Sequence, residues 1–193
     1  IPYGVELNLF KSVNMKEIQK LKKKLDITYP TLVYHGTYSY KPNRDAVKFI
    51  AKNILPYLKK KGINAKLLAI GEHPFQFTEK NVIFTGVVEN LPKYLKLADI
   101  AVVPIVAGGG MRIKVLEYMA SGLPIVATDF AVEGIPVKNG VHLIITNLKE
   151  MPKKVEFLIK NKLLCNKHVP YMKLSSWHQS SHHYKLFFIL NSI

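Results

Sequence analysis

The sequence predicts an α/β domain, doubly wound around a parallel sheet of about six strands. Two observations carry this. Short apolar, β-branched runs alternate with stretches whose apolar residues recur at helical spacing, the pattern of strands joined by crossover helices. The stretch from Pro104 to Thr128, PIVAGGGMRIKVLEYMASGLPIVAT, follows a hydrophobic strand with three consecutive glycines, a helix and a second strand. There, backbone N–H groups and a helix N-terminus are placed to hold an anion such as a phosphate.

The elements follow in chain order. A helix over about Met15 to Leu25 opens after Asn14, with Glu17 spaced for a capping box. Strands are expected at Leu32–His35 and Ala65–Ile70. Between them Val47, Ile50, Ala51, Ile54, Leu55 and Leu58 mark one helix, with Asn43 as its N-cap, Pro56 as a kink and Gly62 as its stop. Further strands are expected at Val82–Phe84, Ile100–Val103, Ile125–Ala127 and His142–Ile145, and helices at Leu91–Leu97, Lys114–Ser121 and Met151–Leu164. Parallel strands need cover on both faces, which makes the sheet doubly wound.

At 193 residues the chain is long enough for one domain with a substantial core. No run approaches the roughly 20 apolar residues of a membrane span, and IPYGVELNLF lacks the charged start of a secretory signal. The single cysteine, Cys165, excludes an internal disulfide framework and suits a reducing cytoplasm. The formal charge of +15 is compatible with nucleic acid, anionic lipid or a phosphorylated ligand. The lysine runs 20–24 and 59–61 lie on helices whose other face is apolar, which reads as a solvated surface. No basic tract is interleaved with aromatics for stacking on single strands, so nucleic acid is not the expected partner. After Glu156 there is no acidic residue, and four of the seven histidines fall in the last 26 positions. Residues 165–193 are therefore set apart as a divergent basic, His-rich tail, in which an irregular segment is favoured over a metal site at His178, His182 and His183.

Open parallel sheets bind ligands beyond the carboxyl ends of their strands. Four loops leave such ends here: His35 to Asn43, containing Gly36, Thr37 and Lys41; Gly71-Glu72-His73-Pro74; Thr85-Gly86-Val87-Val88; and the glycine loop Gly108-Gly109-Gly110-Met111, followed by Arg112, Lys114 and Glu117. Two cations at a helix start oppose the helix dipole, a conflict that a bound anion relieves. Glu117 stands among Val115, Leu116, Tyr118 and Met119, where a carboxylate is costly unless hydrogen-bonded. Two ribose hydroxyls are suitable donors, and a salt bridge to a lysine is the alternative. There is no G-x-x-x-x-G-K-[ST], no G-x-G-x-x-G after the first strand, no Ser-His-Asp order and no zinc spacing. These absences argue against a nucleotide triphosphatase, a standard dehydrogenase and a hydrolase.

The segments VYHGTYSYKPNRDAVKFIAKNILPYL, NVIFTGVVENLPKYLKLADIAVVP and GGGMRIKVLEYMASGLPIVAT, in this order between Leu32 and about Leu164, resemble the C-terminal, donor-binding half of GT-B-fold retaining glycosyltransferases of the group 1, family-four kind. Residues 1–12 resemble the segment that enters this half from an N-terminal acceptor domain the chain does not include, leaving 13–164 as the Rossmann-like donor domain. The resemblance implies binding of a nucleoside-diphosphate sugar, without metal or other cofactor, and transfer with retention. It places Glu117 on the nucleotide ribose and Gly36, Thr37, Lys41, Gly71, His73, Val88, Gly108, Gly109, Gly110 and Met111 around the donor. Arg112 and Lys114 would stabilise charge on the departing diphosphate. The family usually carries a second glutamate eight positions before the ribose-binding one; Gly109 stands there. A peripheral site at the inner face of a membrane is consistent with the charge. A non-catalytic nucleotide-sugar-binding module, or an inactive remnant, is the main alternative, and a basic nucleic-acid-binding domain a lesser one.

Overall fold

A computed structural model describes residues 5–11, 13–72, 77–110 and 112–168. The expectations for His73, Met111 and the tail histidines His178, His182 and His183 lie outside these residues. Six strands, β1 (Thr31–His35), β2 (Lys66–Ile70), β3 (Val82–Phe84), β4 (Ile100–Val103), β5 (Ile125–Ala127) and β6 (Ile144–Ile145), form one sheet in the order β3-β2-β1-β4-β5-β6. Every pairing is parallel, with Val33 opposite Leu68 on one side and Ala101 on the other. β4 is buried at every residue, and β1 and β2 at all but His35 and Lys66. Such strands must be covered on both faces. Each buried Leu, Ile or Val contributes about 1.5–3 kcal/mol relative to exposure.

The helices are α1 (Leu7–Lys11), α2 (Met15–Lys24), α3 (Lys41–Phe49), α4 (Leu55–Lys60), α5 (Leu91–Leu95), α6 (Ile113–Ala120) and α7 (Met151–His168). Asn14 caps α2 by accepting from Lys16 N–H at 2.9 Å, but Glu17 turns away to pair with Lys93. Asn43 does not cap α3. Pro42 is in the first turn and the helix already begins at Lys41, so Asn43 lies inside it and its side chain is buried. The expected kink at Pro56 takes the form of a π turn over Ile50–Ile54, closed by Leu55 N–H on Ile50 C=O. The turn opens the helical ladder just before the proline that cannot donate to it. Gly62 ends α4 as expected, its N–H on Lys59 C=O and that of Ile63 on Leu58 C=O.

Three elements differ by two residues or more from the sequence expectation: α5, which ends at Leu95 rather than Leu97, β6 and α7. β6 is shorter, because the His142 ring accepts from Lys138 N–H at 2.9 Å and draws that residue into the preceding turn. α7 runs past Leu164 to His168, since no glycine or proline interrupts it before Pro170. It docks on the preceding helices through Tyr57 Oη, which donates to Glu156 Oε2 at 2.7 Å. The strand order reverses between β1 and β4. The loops leaving those two strands, 36–40 and 104–112, therefore diverge and open a crevice at the carboxyl edge of the sheet.

Candidate functional site

The crevice is a cleft of about 260 Å³ between the ends of β1 and β4 and the start of α6. Of the residues singled out in the sequence, Gly36, Gly108, Gly109, Arg112, Lys114 and Glu117 line it. His35, Tyr40, Asn43, Val103, Ile105, Ala107, Ile113 and Ala131 complete the wall.

α6 delivers the two charged groups. Val115 and Tyr118 anchor this helix in the core, and Lys114 and Glu117, three positions apart, share the flank that faces the cleft. Lys114 Nζ donates to Tyr34 Oη and to Asn43 Oδ1, both at 2.7 Å, and lies 4.4 Å from the centre of the Tyr34 ring. Tyr34 Oη in turn donates to Asn43 Oδ1 at 2.5 Å, and Asn43 Nδ2 donates to Thr37 C=O at 2.8 Å. Asn43 thus ties β1, the first loop and α6 together. Among the described residues no carboxylate lies within 4 Å of Nζ. Burial pushes the amine down to about 7; Glu117 opposes the shift and Arg112 adds to it.

Glu117 Oε2 lies 3.1 Å from His35 Nε2, yet Nε2 makes no directed hydrogen bond. Burial lowers the affinity of the His35 ring for a proton more than Glu117 raises it, which leaves the ring neutral at pH 7. The Glu117 carboxylate therefore has no formal counter-charge beside it. Its side chain is 21% exposed, open enough for a ligand hydroxyl to reach. The His35 backbone is fixed by its N–H donating to Tyr118 Oη at 2.8 Å.

The glycine loop forms the opposite lip. Gly109 N–H donates to Tyr40 Oη at 2.9 Å, and the same hydroxyl lies 3.3 Å from Gly109 C=O. Gly108 has φ +125°, and a Cβ there would collide with Tyr40 Oη and stand 3.0 Å from Pro42 Cγ. Only glycine lets the two loops close this tightly. Arg112 occupies the N-cap of α6, one position before the first turn in which it was expected. Its Nε donates to Phe130 C=O at 3.0 Å and an Nη to Gly110 C=O at 2.8 Å, and the guanidinium stacks 4.4 Å from the Phe130 ring centre. It holds the glycine loop against the 130s while its flank lines the cleft.

Thr37, Lys41, Gly71, Val88 and Gly110 are not among the lining residues. Thr37 and Gly110 contribute carbonyls to the supports just described. Lys41 is exposed and pairs with Asp45 one turn on at 2.6 Å. Gly71 N–H donates to Gly86 C=O at 3.0 Å, and its missing Cβ would run into Gly36 C=O, so it lets the neighbouring strand-end loops pack. Val88 is partly buried against the core. Tyr34 had no expected place at the site, and Tyr40 and Asn43 were expected only as members of the first strand-end loop, Asn43 as a helix cap. The Pro42-Asn43 pair did hold a signal for the last: a proline at a helix start puts the next residue inside the helix, where a polar side chain needs partners.

Residues 29–161 match the family model described as glycosyl transferases group 1. The crystal structure of the C-terminal domain of LpcC, a glycosyl transferase group 1 family protein from Francisella tularensis, superposes with a TM-score of 0.69 at 18% identity, covering 92% of this chain and 100% of that one. Anabaena Alr3699/HepE in complex with UDP-glucose superposes with a TM-score of 0.64 at 19% identity over 83% of this chain; the chain spans about half of that protein, 47%. WaaG, a glycosyltransferase involved in lipopolysaccharide biosynthesis, gives 0.62 at 16% identity, covering 85% of this chain and 48% of WaaG. No curated protein sequence matches the chain. At these identities the superpositions establish a shared α/β fold, that of the C-terminal half of GT-B glycosyltransferases, and the family-model match establishes membership: the chain belongs to the glycosyl transferases group 1 family.

Proposed function

We propose that this chain is the donor-binding domain of a glycosyltransferase and that a nucleoside-diphosphate sugar occupies the cleft between β1 and β4. The single observation that carries the reading is the pairing of a half-buried lysine without a carboxylate partner, Lys114, with a carboxylate without a cationic partner, Glu117, on one face of α6 in one cleft. A ribose-diphosphate satisfies both. Its hydroxyls donate to Glu117 and its phosphate oxygens accept from Lys114, beside the glycine loop. The complex of Alr3699/HepE with UDP-glucose supports a nucleotide sugar as the ligand class. Small-molecule sites commonly run to about 300–1,000 Å³. A cleft of about 260 Å³ takes the ribose and diphosphate and leaves the base and sugar to extend beyond it.

In transfer, negative charge grows on the diphosphate as the bond to the anomeric carbon breaks. A cation already in place stabilises that charge more than it stabilises the intact donor. Lys114 and Arg112 supply positive charge here without a metal ion, and the sugar departs to the acceptor with retention. In two-domain members of the fold the acceptor site belongs to the N-terminal domain, and the described residues supply the donor cleft.

The test is calorimetric titration of the chain with UDP-glucose, GDP-glucose and ADP-glucose, alongside Glu117→Ala. One donor should bind one to one, and Glu117→Ala should weaken it at least tenfold with circular dichroism unchanged. Absence of binding by all three, or an equal affinity in the variant, would overturn the reading.

A further inference from the structure

Lys114 is held by two neutral oxygens, Tyr34 Oη and Asn43 Oδ1. An uncharged amine has two N–H groups and an ammonium has three. The two acceptors therefore satisfy the uncharged form completely, whereas the charged form keeps one N–H without a described partner. The surroundings do not compensate that charge. From β1 the amine is faced by Tyr34 and by the neutral ring of His35. The amide of Asn43 on α3 faces it as well, and from its own helix come Glu117, beyond 4 Å, and Arg112 at the N-cap. Tyr38 and Tyr118, phenols packed around this cluster, are uncharged, because burial pushes both up. A third acceptor with negative charge has one way in, the cleft itself.

We propose that Tyr34 and Asn43 are positioning residues that keep Lys114 poised between its two protonation states, and that entry of a donor diphosphate drives uptake of a proton onto its Nζ. This rests on the nucleotide-sugar reading of the cleft. The balance is simple: one solvent proton joins the Nζ lone pair, and the new N–H donates to a phosphate oxygen. No covalent bond of the donor changes. The amine, pushed down to about 7 by burial, is then the sensor that makes donor affinity depend on pH across the neutral range. Above pH 7 the empty site is mostly uncharged and binding includes the work of protonation. Below pH 6 the proton is already present and affinity levels off.

Calorimetry of the unmodified chain with UDP-glucose, GDP-glucose and ADP-glucose, in buffers of different ionisation enthalpy, measures the uptake directly. A nucleotide sugar suits the measurement because its diphosphate is esterified at both ends and does not titrate near neutrality. With the donor that binds, uptake of about 0.5 proton is expected at pH 7, about 0.9 at pH 8 and about 0.1 at pH 6. Kd should rise by up to about tenfold per pH unit above 7.5. Lys114→Arg, charged throughout, should take up no proton at any pH. Tyr34→Phe removes one acceptor from the ammonium and should move the break in the Kd–pH profile to lower pH. A purely structural loosening would raise Kd equally at every pH. Binding with no net proton uptake from pH 6 to 8, or a Tyr34→Phe profile parallel to the parent's, would overturn the proposal while leaving the donor reading intact. If none of the three donors binds, both fall.

Discussion

Lysine is used in two opposite ways in this molecule. On the helix surfaces Lys41 pairs with Asp45, Lys160 with Glu156 and Lys153 with Glu150, one turn apart, with the ammonium groups open to water. Such pairs are each worth a few tenths of a kcal/mol and are screened by salt. In the crevice Lys114 is half-buried beside a tyrosine and an asparagine, and the carboxylate on its own helix, Glu117, faces a neutral histidine. These three surface lysines are solvated and already neutralised. Lys114 carries an unsettled electrostatic cost that a ligand resolves. Most of the +15 charge therefore says little about function, and one cation in the right crevice says much.

The contrast can be broken in graded ways. The largest effect is expected from Lys114→Met, which should weaken donor binding by at least 100-fold in a calorimetric titration, in line with about 3 kcal/mol for a charge-assisted contact to phosphate. The same variant should stabilise the empty domain by on the order of 2 kcal/mol at pH 6, read from urea unfolding. The sign follows from linkage. The folded chain holds the Lys114 proton less tightly than the unfolded chain, so the lysine destabilises the fold most below pH 7 and the penalty fades as pH rises toward the ordinary lysine range. His35 acts in the same direction, because its proton affinity is lowered by burial, and the parent domain should lose stability as pH falls below 6.5. A gain in binding strength with a loss of stability in Lys114→Met would reverse the comparison.

Next in size is Gly108→Val. A side chain at φ +125°, pressed against Tyr40 and Pro42, should cost about 1–3 kcal/mol in urea unfolding and open the lip of the cleft. The smallest effect belongs to the surface. Lys41→Ala should change stability by less than about 0.5 kcal/mol and leave donor affinity within about twofold, since this lysine is exposed and engaged with Asp45. A large loss of affinity in Lys41→Ala would mean that the first loop rearranges to bring it over the diphosphate.

The sheet was legible in the sequence because each strand is a short apolar run bounded by turn residues, and all six fall where the pattern puts them. The glycine loop and Glu117 were legible for a different reason: a triple glycine and a carboxylate in an apolar helix are both expensive without a purpose. Asn43 was misread because capping propensity is local, whereas its real partners, Tyr34 and Lys114, are 9 and 71 positions away. Arg112 shows the same limit. Its charge pointed to an anion, and only the fold adds that its donors brace the Phe130 and Gly110 carbonyls and pair with Glu133 at 3.5 Å. Periodicity reports what a residue does to its own element; it is silent on side chains that bridge elements distant in sequence.

The most direct test of the central claim is a parallel titration of the parent chain and Lys114→Met with UDP-glucose, GDP-glucose and ADP-glucose at pH 6.5. The parent should bind one donor saturably, one to one, and the variant should lose that binding, with an unchanged circular dichroism spectrum and a higher unfolding midpoint. Equal affinity in the two proteins would contradict it.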